Sequence, residues 1–238
     1  MSAAVVFGTS GGIGRALTEA LAASGRFERI HAGGRQLPGD LSPGVEPFAF
    51  DLGDEASIAE AARAIAGPVE FVLIASGVLQ DLDRAIAPEK SFRAIDAGSM
   101  AQVLAINTIG PALIAKHFLP LLPRDRRAVF AALSAKVGSI GDNRLGGWHS
   151  YRASKAALNM LVANFAIELK RSHPQVVVAA LHPGTVDTAL SLPFQRGVSP
   201  EKLFTPDVAA AHLLTVLDAL TPADSGGLFA WDGTRLPG

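Results

Sequence analysis

Short apolar runs alternate with longer helix-patterned segments along all 238 residues of this chain. Ala4–Phe7, Arg29–Ala32, Pro47–Phe50, Phe71–Ala75, Ala128–Leu133, Val176–Leu181 and Leu228–Trp231 read as strands. Several are nearly continuous in apolar residues, the pattern of strands covered on both faces in a parallel sheet. Between them Gly12–Ser24, Asp54–Ile65, Ser99–Leu121, Ser150–Arg171 and Pro206–Ala219 read as helices. Two carry start signals, Asp54 before Glu55 and Thr205-Pro206-Asp207. Parallel strands need a crossover connection, and a helix is the usual one. The alternation therefore predicts an α/β fold, a doubly wound parallel sheet with helices on both faces. There is no internal repeat, low-complexity tract or interdomain linker, so a single domain over residues 1–238 is expected.

Composition narrows the function. The chain is 49% hydrophobic and 18% charged, as a compact globular domain requires. Its 21 basic and 22 acidic residues leave a formal charge of −1, with no basic field for nucleic acid. The cluster Arg124-Asp125-Arg126-Arg127 is short and mixed in sign and reads as a solvated loop. With no cysteine, disulfides, cysteine-ligated zinc and a cysteine nucleophile are excluded, and no metal site is expected. The uncharged run from Ala97 to Ala115 contains Ser, Gln, Asn, Thr, Gly and Pro and reads as a buried helix, not a membrane span. Met1–Gly8 enters a strand directly, without a basic stretch and apolar core before it, so a cytoplasmic location is expected.

Gly8-Thr9-Ser10-Gly11-Gly12-Ile13-Gly14 lies between the first strand and the first helix. Glycines at 8, 12 and 14 let the backbone approach a pyrophosphate, whose charge then sits at a helix N-terminus. This is the dinucleotide-binding, Rossmann-type arrangement. The same residues spell G-x-S-x-G, a hydrolase nucleophile elbow at Ser10, with Asp187 and His212 following in the matching order. Only seven residues precede Gly8, too few for the earlier strands that an elbow's oxyanion loop needs, and the hydrolase reading is rejected. After the second strand comes Ala32-Gly33-Gly34-Arg35, with an arginine and no acid. An acid there would bind a ribose 2′-hydroxyl, whereas arginine accommodates a 2′-phosphate. NADP(H) is favoured, with NAD(H) left open. Arg15 offers a second phosphate contact or is simply a helix-surface residue.

Tyr151 and Lys155 stand four apart in a helical segment, one turn above each other on the same face. A nearby ammonium favours the ionised phenol, whose free pKa is about 10. Lowered toward neutrality, such a tyrosine can exchange a proton with a carbonyl or alcohol oxygen. The spacing alone is equally that of a solvated helix face.

Together these residues resemble the short-chain dehydrogenase/reductase family over essentially the whole chain. Six features occur in the family's order: the Gly8/Gly12/Gly14 loop, Asp51-Leu52, Asn107, Ser134, Tyr151-x-x-x-Lys155 and Pro183-Gly184-x-Val186-x-Thr188. The resemblance implies Tyr151 as acid/base, with Lys155 lowering its pKa and holding the nicotinamide ribose. It implies Ser134 on the substrate oxygen and Asn107 keeping a helix open around a water. Gly8, Ser10, Gly12, Ile13 and Gly14 would cradle the phosphates. Asp51 and Leu52 would contact the adenine, Thr185, Val186 and Thr188 would line the nicotinamide and phosphate side, and Arg35, Ala75, Ser76, Gly77, Pro183 and Gly184 would also bind the cofactor. Two positions depart from the family pattern: Phe7 where threonine is usual, and Ala75-Ser76-Gly77 where Asn-Ala-Gly is usual. Ser76 is a partial replacement for that asparagine.

Asn107–Pro111, Gly141-Asp142-Asn143, Tyr151–Met160 and the tail from Lys202 to Gly233 look like the branch containing sniffer-type carbonyl reductases and C-factor signalling proteins. The branch implies reduction of a small-molecule aldehyde or ketone, or a signalling role in which dinucleotide binding matters more than turnover. It also implies a homodimer or homotetramer built through Ser99–Leu121 and Ser150–Arg171. Ala153, Ala156, Ala157 and Ala163 would allow close packing there or against the sheet. Gly138–Gly147 and Leu190–Phe204 are expected to hold the pocket residues, and the irregular Pro193–Pro206 to form a substrate-side lid. Trp148, His149 and His182 read as packing residues before catalytic ones.

Overall fold

The computed structural model describes residues 2–37 and 39–238. Its main sheet contains β1 (Ala3–Phe7), β2 (Arg29–Gly34), β3 (Val45–Ala49), β4 (Phe71–Ile74), β5 (Ala128–Leu133) and β6 (Val176–His182), completed by β9 (Leu228–Ala230) and β10 (Arg235–Leu236). The strand order is β10-β9-β6-β5-β4-β1-β2-β3, parallel throughout except for β10, which pairs antiparallel with β9. A separate two-stranded ribbon joins β7 (Thr185–Val186) to β8 (Leu203–Phe204). The expected doubly wound sheet is present, with its order reversing between β1 and β4. Such a reversal opens a crevice at the carboxyl ends of the strands.

Alternation along the strands feeds two cores. On one face Val5 and Phe7 of β1 meet α2 (Glu55–Ile65), α4 (Gly110–Phe118) and α5 (His149–Leu169) through Ile58, Phe118 and Leu158. On the other, Ala4 and Val6 meet α1 (Gly12–Ser24) and α6 (Pro206–Ala219) through Leu17, Leu21, Leu213 and Leu217. Burying both faces is what makes these strands apolar without interruption. Phe7 is fully buried, with edge-on contacts to Phe48, Phe50 and Phe118 at 5.5, 4.9 and 4.9 Å. Aromatic packing fills the place where the family usually has threonine, a gain in buried apolar area with no polar group to satisfy.

The helix expected over Ser99–Leu121 is broken. α3 (Ala97–Leu104), capped by Asp96 accepting from Ser99 N at 2.8 Å, passes into a π-turn over Ala105–Ile109 before α4 resumes. Ala97–Leu121 is the one helical stretch among the described residues long and apolar enough to cross a membrane. Here it folds against the sheet, with Ile114, Ala115 and Phe118 in the core. The two-residue strands β7, β8 and β10 were not anticipated, because a pair of residues carries no periodic signal.

The first βα turn tolerates no side chain at Gly14, where an added Cβ would lie 2.2 Å from Gly8 O, a backbone atom. Gly14→Ala is therefore expected to lower unfolding free energy in urea by about 2 kcal/mol or more. Gly39→Ala, where an added Cβ meets nothing within 4 Å, should change it by less than about 0.5 kcal/mol. Equal midpoints for the two variants would contradict this account of the turn.

Candidate active site

The crevice holds two adjoining cavities. The first, of about 470 Å³, is lined by Gly8 and Ser10 of the glycine loop, Gly34-Arg35 after β2, Asp51-Leu52 after β3 and Ala75-Ser76-Gly77 after β4. Gly8 adopts φ +90°, and its N–H donates to Gly33 O at 2.8 Å. An added Cβ there would stand 2.7 Å from Ser76 Oγ, so Ser76 packs directly on the glycine loop. The N-cap of α1 is Gly11, which offers no capping side chain, and no acid stands in the first turn. Its amide donors thus stay available to an anion. With exposed Arg35 at one end, these residues fit an anionic dinucleotide. Arg15 is engaged elsewhere, in an ion pair with Asp40 at 2.6 Å.

The remaining glycine-loop residues act differently from one another. Gly12 gives room to Thr188 and Pro206, Gly14 to Gly8, and Ile13 lines the second cavity. Gln80, Asp81, Arg84, Gln102 and Ile106 also line the first cavity and were missed. They come from an irregular loop and from the break in α3–α4, neither of which carries a spacing motif.

The second cavity, about 650 Å³, brings together Ser134 after β5, Tyr151 in the first turn of α5, and Pro183, Gly184, Thr185, Val186 and Thr188 after β6. Tyr151 and Lys155 are buried one helical turn apart. Lys155 Nζ lies 5.8 Å from the Tyr151 ring centroid and donates to Leu133 O at 2.8 Å. Burial pushes the phenol up to about 12 and the ammonium down to about 8. The expected lowering of the tyrosine pKa by Lys155 is therefore not found in this structure. The ammonium is turned to a main-chain carbonyl, and desolvation dominates. At neutral pH the phenol holds its proton.

Asn107 sits fully buried in the π-turn. Its Oδ1 accepts from Val78 N at 2.8 Å, and its Nδ2 donates to Val78 O at 2.8 Å and Ser154 Oγ at 3.0 Å. Thr108 Oγ1 donates to Ser154 O at 2.9 Å. Asn107 thus ties the loop after β4 to the helix bearing Tyr151 and Lys155. A Cβ on Gly77 would lie 3.3 Å from Asn107 Oδ1 and 3.4 Å from Lys155 Nζ, so only glycine leaves that corner open. Ser134 Oγ donates to Asn159 Oδ1 at 2.7 Å, which orients the hydroxyl.

Glu89 carried no sequence signal, yet it holds the start of α5. Its buried carboxylate accepts from Ser150 Oγ and from Ser150 N at 3.2 Å, and its carbonyl accepts from Trp148 N at 2.6 Å. The net effect of these bonds holds the Glu89 pKa below the usual carboxylate value against its burial. A carboxylate at a helix N-terminus is favoured by the dipole. Trp148 is pinned at φ 51°, a left-handed conformation costly for a bulky residue. Its ring meets Tyr151 at 6.3 Å and Phe194 at 5.0 Å, so it forms the cavity wall. Asp142, Arg144 and Leu145 from the Gly138–Gly147 loop complete the mouth, together with Leu190, Ser191 and Phe194. All three of the latter fall in the expected Leu190–Phe204 stretch, and Phe194 alone in the candidate lid Pro193–Pro206.

His182 ends β6, with burial pushing it down to about 4, so it is neutral at physiological pH. The residues of the rejected hydrolase reading stay apart. Asp187 accepts from Gln195 Nε2 at 2.9 Å, and His212 packs between Phe204 and Trp231.

Comparison with known proteins agrees with this geometry. The chain is 39% identical over 142 residues to a 1-hydroxy-2-glutathionyl-2-methyl-3-butene dehydrogenase of Rhodococcus sp. (strain AD45), a match spanning 60% of each chain and so under two thirds of that relative. It is 33% identical over 143 residues to the C-signal of Myxococcus xanthus, covering 60% of this chain and 81% of that one. The NADPH-bound carbonyl reductase from chicken fatty liver superposes with a TM-score of 0.85 at 26% identity, over 100% of this chain and 98% of that one. The carbonyl-reductase and C-signal branch suggested by the motifs is thus represented among its relatives. Residues 2–197 match the short chain dehydrogenase family, and the chain belongs to that family of oxidoreductases.

Proposed function

We propose that this oxidoreductase is an NADPH-dependent carbonyl reductase in which Tyr151 supplies the proton. The observation that carries the reading is a buried, protonated phenol sharing one cavity with the Ser134 hydroxyl, beside the glycine-lined cleft. When bound, the dinucleotide supplies a hydride to the carbonyl carbon. Tyr151 Oη gives its proton to the oxygen as charge develops there, and Ser134 Oγ turns the one proton it otherwise gives to Asn159 Oδ1 toward the same oxygen. Lys155, whose ammonium stands behind Gly77 of the first cavity, holds the nicotinamide ribose hydroxyls. Asn107 fixes the π-turn beside it. Arg35 takes the 2′-phosphate. The NADPH-bound chicken carbonyl reductase supports the cofactor assignment.

A second reading is favoured by the C-signal relative, namely a signalling role in which dinucleotide binding is the selected property. The two are separated by complementation in a strain lacking the protein. Under the signalling reading Tyr151→Phe preserves the phenotype while Arg35→Ala abolishes it. Under the reductase reading both abolish it.

A dimer or tetramer through α4 and α5 is part of the proposal, supported by the exposed Ile109, Met160 and Ile167 near and on these helices. Ala163 is not available to such a contact in full, since it packs against Gly226.

Three outcomes follow. NADPH oxidation is expected with members of a panel of quinones, dicarbonyls and aldehydes, and Tyr151→Phe should lower kcat by about 100-fold or more, the usual worth of a general acid. An inert panel would overturn the reading. Arg35→Ala should raise the Kd for NADPH about tenfold in a fluorescence titration and leave that for NADH within about twofold. Equal effects would remove the 2′-phosphate assignment. Lys155 is protonated below its lowered pKa and loses its charge above it, so kcat/KM for NADPH should fall above about pH 8. A profile level to about pH 10, the range of an unperturbed lysine, would contradict the assigned role.

A further inference from the structure

We infer that the substrate pairs its carbonyl with a carboxylate, bound at the mouth of the Tyr151 cavity by Arg152 and Arg144. This rests on the carbonyl-reductase reading and specifies its substrate class. Four charged side chains line this cavity, Lys136, Asp142, Arg144 and Arg152, and three of them are cations. Lys136 is taken by Asp142, at 3.5 Å. The two arginines are not neutralised. Arg152 Nε and Nη1 donate to Gly147 O at 3.0 Å and Val137 O at 3.3 Å, and Arg144 Nη1 donates to Gly141 O and Asn143 O at 3.1 Å each.

These contacts are unlike those of Arg15, Arg26, Arg29, Arg84 and Arg126, each of which meets a carboxylate within 3.3 Å. Main-chain carbonyls fix the direction of a guanidinium without cancelling its charge. A guanidinium has five N–H donors, and those left over form the planar fork that matches a carboxylate. Nη2 of both arginines has no partner among the described residues. His182 adds no charge, being neutral, and the acid near it is Asp232.

The wall also carries the apolar or aromatic side chains Leu79, Leu145, Trp148, Leu190 and Phe194, beside the polar Ser134, His182, Thr185, Thr188 and Ser191. The cavity, about 650 Å³ with the nicotinamide-side stretch Pro183–Thr188 included, is of the size that holds a small organic molecule beside that stretch. Its occupant is then a molecule with an apolar or aromatic body, a carbonyl at the Tyr151 end and a carboxylate at the arginine end.

The test uses 4-formylbenzoate and its methyl ester, which share ring and aldehyde and differ in charge. Wild-type enzyme should favour the carboxylate by about tenfold in kcat/KM, and the preference should shrink about threefold or more as salt rises toward 1 M. Arg152→Met should bring the ratio of the two substrates toward one, whatever it does to the ester. Arg144→Met in the exposed loop is the alternative if Arg152→Met does not fold. Quenching of Trp148 fluorescence supplies a binding readout independent of turnover, with the same preference and the same loss on substitution. If neither aldehyde is reduced but the carboxylate still binds preferentially, carbonyl reduction fails and the anion site stands. Equal binding of the two, binding of neither, or a preference that survives both substitutions would overturn the inference.

Discussion

Lys155 holds its buried ammonium on a single main-chain oxygen, Leu133 O at 2.8 Å. That one bond joins the helix that carries the phenol to the end of the strand that carries Ser134. No carboxylate is bonded to the ammonium among the described residues, so burial acts unopposed on both titrating groups of the pair. A charge in a desolvated place is costly, and the bond to Leu133 O, not an ion pair, offsets part of that cost. Gly138 makes the packing feasible, since a Cβ there would stand 2.7 Å from Lys155 Cβ. The π-turn makes the same demand from the other side, placing Asn107 where it grips Val78 and Ser154. Acid, hydroxyl and ammonium are thus positioned by the ends of β4 and β5 and by one helix.

Much of this was legible in the sequence, for identifiable reasons. The strands covered on both faces announced themselves as apolar runs, and the glycine loop as a place where backbone must approach backbone. Tyr151 and Lys155 were found because a helical turn brings them together. Helix starts at Asp54 and Thr205 were readable because capping is a local event, and both residues do cap, accepting from Ala56 N and Val208 N.

What escaped is nonlocal. Glu89 caps α5 from 61 residues away, so nothing in its own neighbourhood marks it. Asn107 was found only through the family resemblance, and the π-turn around it replaces what periodicity reads as one continuous helix. The direction of the tyrosine's pKa shift is not legible from spacing, which reports that an ammonium is near but not where it points. Lys155 Nζ donates to Leu133 O and stands 5.8 Å from the Tyr151 ring centroid. The charge balance at the cavity mouth is likewise a property of two segments, joined only when the loop after β5 meets α5.

Tyr151 is the only tyrosine in the chain, which makes its proton directly visible. The most direct test is a tyrosinate absorbance titration of the folded protein, with Tyr151→Phe as the blank. Burial of an uncompensated phenol predicts no tyrosinate through about pH 10, with ionisation displaced toward about 12 or arriving only as the protein unfolds. A fully reversible titration of the folded chain centred below about pH 9 would contradict it, by showing that Lys155 acts on the phenol itself.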